Sequence, residues 1–396
     1  MIKNFFQDYF SDRNYALLYG QNAFKGAAFL TMGLFIGGWL YKMGLDLHWI
    51  VLYQALNFTL MGLISPFGSY LAGRYGMFIT FGLSFLCYFL SLISLSLSAD
   101  GIIFILLGLF FSSVANGLQN PPDMMLHAVY VQNKNRGRAF SVVNCISTLI
   151  TLFAVLGSGW LIENFGLFAI SFICGFFWLC SLLCIASMDD RLKTTDVIDI
   201  KGLYGDVFKQ ENRDLLGLSF GFQFLIISSF TFVPILLYIS TENFQDLSII
   251  AAFAIAVQVV ILLLHGIWVD KTTNHSPLRF ALMTHSLGLL VYSFISSGKF
   301  GLFFADTMQR TGLLMFFGAI FPRVHKSIID NKKPVLSFGA IWHMSICFWE
   351  FIVLNIMALV IYFYGEGALK YCLIVCAIGS FSAYFYCKKL TQTNLK

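Results

Sequence analysis

Charged and hydrogen-bonding side chains stand inside long apolar stretches of this 396-residue sequence, and their spacing restricts what they can do. Lys25 has Gln21 one turn before it and Asn22 beside them. A lysine at mid-bilayer depth costs about 2.5–3.5 kcal/mol to insert, so it calls for an acid, water or an anionic solute. Asp306 and Arg310 share one helix face, four residues apart. They can neutralise each other, or Arg310 can offer its planar fork to a carboxylate or phosphate. Glu350 lies two turns after His343, with Trp342 and Trp349 beside them. A carboxyl so placed can take up and release a proton near neutral pH. Asp123 follows Pro121-Pro122 and precedes His127 by one turn. The prolines strip carbonyls of their helix partners and predict a kink, with Asp123 as a gate or coupling acid. Glu350, Asp123 and Asp306 are therefore the candidate proton carriers. Gln21, Asn22, Lys25, Gln54, Asn57, Asn116, Gln119, Asn120, Asn144, Gln223, Gln258, Gln309, Arg310, Trp342 and His343 are the candidate solute contacts.

The elements that must hold these residues follow from composition. The chain is 58% hydrophobic and 11% charged, less than half the roughly 25% charge of a soluble domain. Its apolar residues come in blocks of about 20, the length that crosses a hydrocarbon core as a helix. Only helices and closed barrels span lipid, and these blocks are too long for barrel strands. Twelve helical spans are predicted, at 15–40, 47–68, 77–98, 101–130, 138–161, 165–187, 215–240, 247–269, 277–297, 300–322, 335–363 and 367–387. Lys3–Phe10 is expected to form a short interfacial helix, and no cleavable signal is visible.

Loop charges set the orientation. With the N-terminus inside, 20 of the 25 Lys and Arg residues fall in inner segments, so both termini are expected in the cytoplasm. Met188–Asp214 holds 12 of the 45 charged residues and reads as an inner connector. It divides the chain into 1–187, 188–214 and 215–396. A shift of 197 residues carries Arg74 onto Lys271 and Arg136 onto Lys333, which points to a duplicated six-span unit.

The loop between the second and third spans reads Ser69-Tyr70-Leu71-Ala72-Gly73-Arg74-Tyr75-Gly76-Met77-Phe78, and its counterpart reads Gly266-Ile267-Trp268-Val269-Asp270-Lys271. With Arg136-Gly137-Arg138 opening the fifth span, the pattern resembles the major facilitator superfamily over the whole chain. That family's loop motif is G-x-x-x-D-R/K-x-G-R/K-R/K. The first copy keeps the base and second glycine but has Gly73 for the acid and Ser69 for the first glycine. The second copy keeps glycine, acid and base. The resemblance implies two pseudo-symmetric six-helix bundles rocking about a central site. It also implies a gating role for Arg74, Gly76, Gly266, Asp270, Lys271 and Arg136, in which Asp270 pairs with a base or a helix N-terminus. Polar residues are sparse in spans 3, 6, 9 and 12, which fits the family's four outer supporting helices.

No phosphate-cradling loop, H-E-x-x-H or metal-spaced Cys/His set occurs, and the nine cysteines read as small apolar helix residues. Neither enzyme chemistry, a cofactor, a metal nor a nucleic-acid partner is expected. The favoured expectation is a monomeric, proton-coupled secondary transporter of an anionic or zwitterionic organic solute, in a bacterial inner membrane. Proton-driven export of drugs or siderophores is the alternative, and a non-transporting scaffold or sensor a second one. The fifth span reads Ala154–Trp160 without the proline of the exporters' G-x-x-x-G-P-x-x-G-G motif, which leans toward uptake.

Overall fold

The computed structural model describes residues 13–130, 136–188, 198–272, 275–294, 298–330 and 334–393. For 128–130, 136–140, 325–330 and 389–393 only the backbone is described. Lys3–Phe10, the loops holding Lys134 and Lys333, and residues 189–197 of the connector lie outside the described residues.

Among the described residues every regular element is helical. The first six spans are α1 (Arg13–Lys42), α2 (Leu47–Tyr75), α3 (Met77–Ser96), α4 (Ile102–Tyr130), α5 (Arg136–Phe165) and α6 (Leu167–Ala186). A short connector helix, α7 (Ile200–Asp206), starts on Asp199, whose side chain accepts from the Lys201 N–H. The seventh span is α8 (Arg213–Ile227) and α9 (Val233–Thr241), and then come α10 (Phe244–Lys271), α11 (Ser276–Phe294), α12 (Lys299–Asp330) and α13 (Val335–Tyr364). The twelfth span is α14 (Ala368–Ser380) and α15 (Ser382–Thr393). Among the described residues, ten helical stretches are long and apolar enough to cross a membrane. The other two expected spans are α11 and α12, whose hydropathy is diluted by residues such as His285, Asp306, Gln309 and Arg310.

Two expected spans are interrupted. In the seventh, Ser228–Phe232 forms a π-helical turn. Pro234 has no N–H to give back to the preceding turn, and Ser228 and Ser229 donate to the carbonyls of Phe224 and Leu225 at 2.7 Å each. Both effects loosen the ordinary ladder there. The fourth span, by contrast, continues as one helix through Pro121 and Pro122. The carbonyls that these prolines leave without helix partners belong to Gly117 and Leu118. Gly68 of α2 packs directly against them, and a Cβ there would lie 2.5 Å from the Leu118 oxygen and 2.7 Å from that of Gly117.

The shift of 197 residues extends from loops to helices: it carries α2 onto α10 and α5 onto α13 within two residues at either end. The seams between the two sets follow the same rule. The principal contacts across are α5 on α10 and α2 on α13, which exchange when the sets exchange. Small residues line these seams, with Gly62 under Cys347 and Gly159 under Ser248. At the end where α1 stops, Glu163 of α5 accepts from Lys42 Nζ and from the backbone N–H of Phe244, at 2.7 Å each. Tyr41 also hydrogen-bonds Glu366 there. At the opposite end, where the connector lies, Ser69 Oγ donates to the Leu336 carbonyl at 2.9 Å. The connector touches both sets: the Tyr204 hydroxyl donates to the Leu63 carbonyl, and Phe208 meets Phe348 at 5.3 Å.

Candidate solute cavity

Helical spacing brings the polar residues of α1 and α4 to one place. Asn22, Lys25, Gly26, Phe29 and Gly33 follow the same three-then-four rhythm as Asn116, Gln119, Asn120, Asp123 and His127, so each set forms one stripe. The stripes face a cavity of about 430 Å³, within the usual range of about 300–1,000 Å³ for small-molecule sites. α2 adds Tyr53, Gln54, Asn57, Phe58 and Met61, α5 adds Asn144, and α13 adds Trp342, His343 and Glu350.

An ion pair joins the two stripes. Lys25 Nζ is 2.5 Å from Asp123 Oδ2, and Gln21 Nε2 donates to Asp123 Oδ1 at 3.2 Å. His127 Nε2 lies 4.0 Å from Asp123 Oδ2 and 2.9 Å from Asn22 Oδ1. The lysine thus has its acid, and the acid comes from another span. The neutral residues are also engaged. Asn57 Oδ1 accepts from Ser112 and Ser113, Asn116 donates to the Ser112 carbonyl, Gln119 accepts from Ser84, and Asn120 donates to Met61 Sδ.

Glu350 is different. It lines the cavity with no exposed surface of its own, and neither carboxyl oxygen has a hydrogen-bond partner among the described residues. A buried carboxylate in that state is costly, so the site favours either a bound proton or a cationic ligand. His343 Nδ1 and Asn144 Nδ2 are likewise unpartnered.

Six of the predicted residues are not on the cavity wall. Gln21 reaches it only through Asp123. Asp306 and Arg310 pair with each other at 2.6 Å, with Asp306 fully buried, because i and i+4 meet more readily than either meets the cavity. Arg310 instead borders a separate space of about 30 Å³ with Gln258, whose amide donates to the Arg310 carbonyl at 2.9 Å. Gln309 donates to Ser229, and its carbonyl is 3.0 Å from His285 Nδ1, so it ties α12 to the π-helical turn and to α11. Gln223 is fully buried, and its amide has no partner among the described residues.

The gating residues are less uniform than the motif implies. Gly76 has φ +92° and lets the chain turn from α2 into α3, a conformation that a side chain disfavours. Arg74 is exposed; it hydrogen-bonds Tyr70 of its own helix and lies 5.4 Å from the Tyr75 ring. Gly266 is buried, Asp270 half-buried and Lys271 exposed, at the connector end of α10. The Arg136 side chain lies outside the described residues.

The sequence places Trp342 and Trp349 as an aromatic wall beside His343 and Glu350; Trp342 lines the cavity, whereas the Trp349 indole N–H donates to the Leu216 carbonyl at 2.9 Å, and other rings complete the walls. Phe222, Phe317, Phe321 and Trp342 form one, with Phe222 at 5.3 Å from Trp342 and 5.6 Å from Phe317. Tyr88 and Trp178, 4.5 Å apart, form another. Those two come from α3 and α6, which were expected only to support from outside. α1 and α4 pack sparsely on each other, so the cavity opens between them onto α3 and α6. The repeat itself held a signal, since the shift of 197 carries Lys25 onto Phe222.

Comparison with known proteins agrees with this architecture. The sequence profile described as Major Facilitator Superfamily matches residues 18–329. No curated protein sequence matches the chain. Among solved structures, a bacterial homologue of the human drug peptide transporters PepT1 and PepT2 is similar at 11% identity, with TM-score 0.68, over 96% of this chain and 98% of that one. A mutant of the nucleoside transporter NupG is similar at 13% identity, with TM-score 0.62, over 96% and 99% respectively. At such identities the likeness is one of fold. With its profile matched over most of its length, the chain is a multi-pass integral membrane protein and belongs to the major facilitator superfamily.

Proposed function

We propose that this chain is a proton-coupled secondary transporter for a small charged organic solute, working by alternating access. Residues 1–187 and 215–396 rock as two halves joined by 188–214, with both termini in the cytoplasm of a bacterial cell and the protein acting as a monomer. The observation that carries the reading is Glu350: a fully buried carboxyl on the cavity wall without a hydrogen-bond partner among the described residues. Such a group changes charge cheaply when water or solute reaches it, which is what a coupling site requires.

The expected anionic solute rested on Lys25 and Arg310. Each now faces a carboxylate, Asp123 and Asp306 respectively, so the argument for an anion loses both bases. A zwitterion keeps its support through the carboxyl of Glu350. A second reading, proton-driven export of lipophilic compounds, draws on the aromatic walls around Phe222 and Trp178.

The test is solute flux in proteoliposomes with and without a pH gradient, using labelled amino acids, dicarboxylates and siderophores. Gradient-dependent flux that disappears in Glu350→Gln supports the coupling role. Equal gradient dependence in wild type and Glu350→Gln refutes it.

A further inference from the structure

We infer that the cavity binds an organic monocation with an apolar or aromatic body, and that this cation and a proton compete for the carboxyl of Glu350. The inference rests on the transport reading above and narrows its substrate class and its mode of coupling.

The first ground is a charge account. Besides Glu350, the titratable side chains on the cavity wall are Lys25, Asp123, His127, His343, Tyr53 and Tyr88. Lys25 and Asp123 cancel at 2.5 Å. His127 is held by Asn22 and lies beside the same aspartate, so it belongs to that network rather than to Glu350. The two tyrosines are neutral near pH 7. His343 stands two turns from Glu350 on α13, within electrostatic reach of Asp123 and Lys25. Cys347, the nearest titratable group on the same helix, packs on Gly62 of α2, away from the cavity wall. With His343 uncharged, the one formal charge left without a counter-charge on this wall, among the described residues, is negative.

The second ground is the wall itself. Phe222, Trp342 and Phe317 present ring faces and edges in one cluster, and Tyr88 with Trp178 in another. Aromatic faces attract cations through their quadrupole, and they repel anions placed over them. A cavity whose wall carries both an unpaired carboxyl and aromatic rings selects a positive charge carried on an apolar frame. An inorganic cation would instead demand several oxygen ligands, and Glu350 offers only its own two.

Occupancy by the cation requires the carboxylate, so the proton on Glu350 leaves to solvent as the cation enters. No bond other than O–H is made or broken, and charge balances one for one. Reversing the step at the other face returns a proton and releases the cation. The cycle is an exchange of cation for proton, not their joint movement.

The test uses the purified full-length chain in detergent and two ions of matching shape and opposite charge, tetraphenylphosphonium and tetraphenylborate. Tetraphenylphosphonium is expected to bind with release of about one proton per cation into weak buffer. Its affinity should fall roughly tenfold per pH unit once acid holds the carboxyl protonated. Glu350→Gln should lose at least about tenfold in affinity and all of the proton release, and Glu350→Asp should restore both in part. Tetraphenylborate should bind wild type no better than it binds Glu350→Gln. Tighter binding of the borate, or phosphonium binding that is unchanged in Glu350→Gln, overturns the inference. If the phosphonium fails to bind while gradient-driven flux of another solute still needs Glu350, the cation assignment falls and the transport reading stands. If the phosphonium binds with proton release but no solute crosses proteoliposomes, the cation site stands and the transport reading falls.

Discussion

Lys25 and Asp123 meet at 2.5 Å although 98 residues separate them in sequence, so the first and fourth spans are tied by one ion pair on the cavity wall. Each partner is mostly buried, at 19% and 15% side-chain exposure. Neutralising either leaves the other charged inside the bundle. Lys25→Ala or Asp123→Ala is expected to cost about 2–4 kcal/mol, between exposed and fully buried pairs. The double variant should recover most of that loss. Thermal unfolding in detergent across the four proteins measures the coupling, and additive losses would rule it out.

Glu350 invites the opposite experiment. Its oxygens have no partner among the described residues, so replacing it with a leucine removes an unsatisfied group without orphaning another. Glu350→Leu should raise stability by about 1–3 kcal/mol while abolishing proton-dependent flux. A destabilised Glu350→Leu protein would mean that the carboxyl contributes to the fold.

Glu163 closes the end of the bundle where α1 stops, through Lys42 and the Phe244 N–H. Glu163→Ala removes an exposed ion pair worth up to about 1 kcal/mol and a charge-assisted contact to a backbone N–H worth about 1.5–3 kcal/mol. In a cysteine-free background carrying Asn57→Cys on the cavity wall, a membrane-impermeant maleimide added on the side where α1 stops should react about tenfold faster once that closure is weakened. An unchanged labelling rate would show that Glu163 does not control access.

Gly68 sits where two proline-freed carbonyls approach, and backbone atoms cannot move aside as a flexible side chain can. Gly68→Ala should cost about 1–3 kcal/mol by forcing α2 from α4. Gly82, which has open space around it, is the control, and Gly82→Ala should change the melting temperature little.

Much of the architecture was legible because membranes impose it. Block length gave the helices, and the loops around Arg74 and Lys271 gave the repeat that later proved to align α2 with α10. The need of Lys25 for an acid was also legible, from insertion cost. Its choice of Asp123 was not, since that depends on which helices stand together and at what rotation. Arg310 could be read either way: an aspartate one turn back predicts a pair, but only packing shows that neither partner lines the cavity. Glu163 sits at the end of its span, where a charge is ordinary in sequence, and its role appears only beside Phe244. The unpartnered state of Glu350 is a property of its whole surroundings, and no spacing rule reports it.

The seams between the halves have a mechanical meaning. Where α2 crosses α13, Gly62 lies under Cys347 midway along both helices; on the α5–α10 seam, Gly159 lies under Ser248, one turn from the Glu163–Phe244 contact. Small side chains let backbones ride close without interlocking. Glu163 and Ser69 make hydrogen bonds at the two ends, and between them Cys145 Sγ makes a weak contact to the Val259 carbonyl at 3.5 Å. The middle therefore behaves as a bearing and the ends as clasps. Enlarging Gly62 would seize the bearing and slow both directions of movement alike, whereas loosening one clasp would bias a single direction.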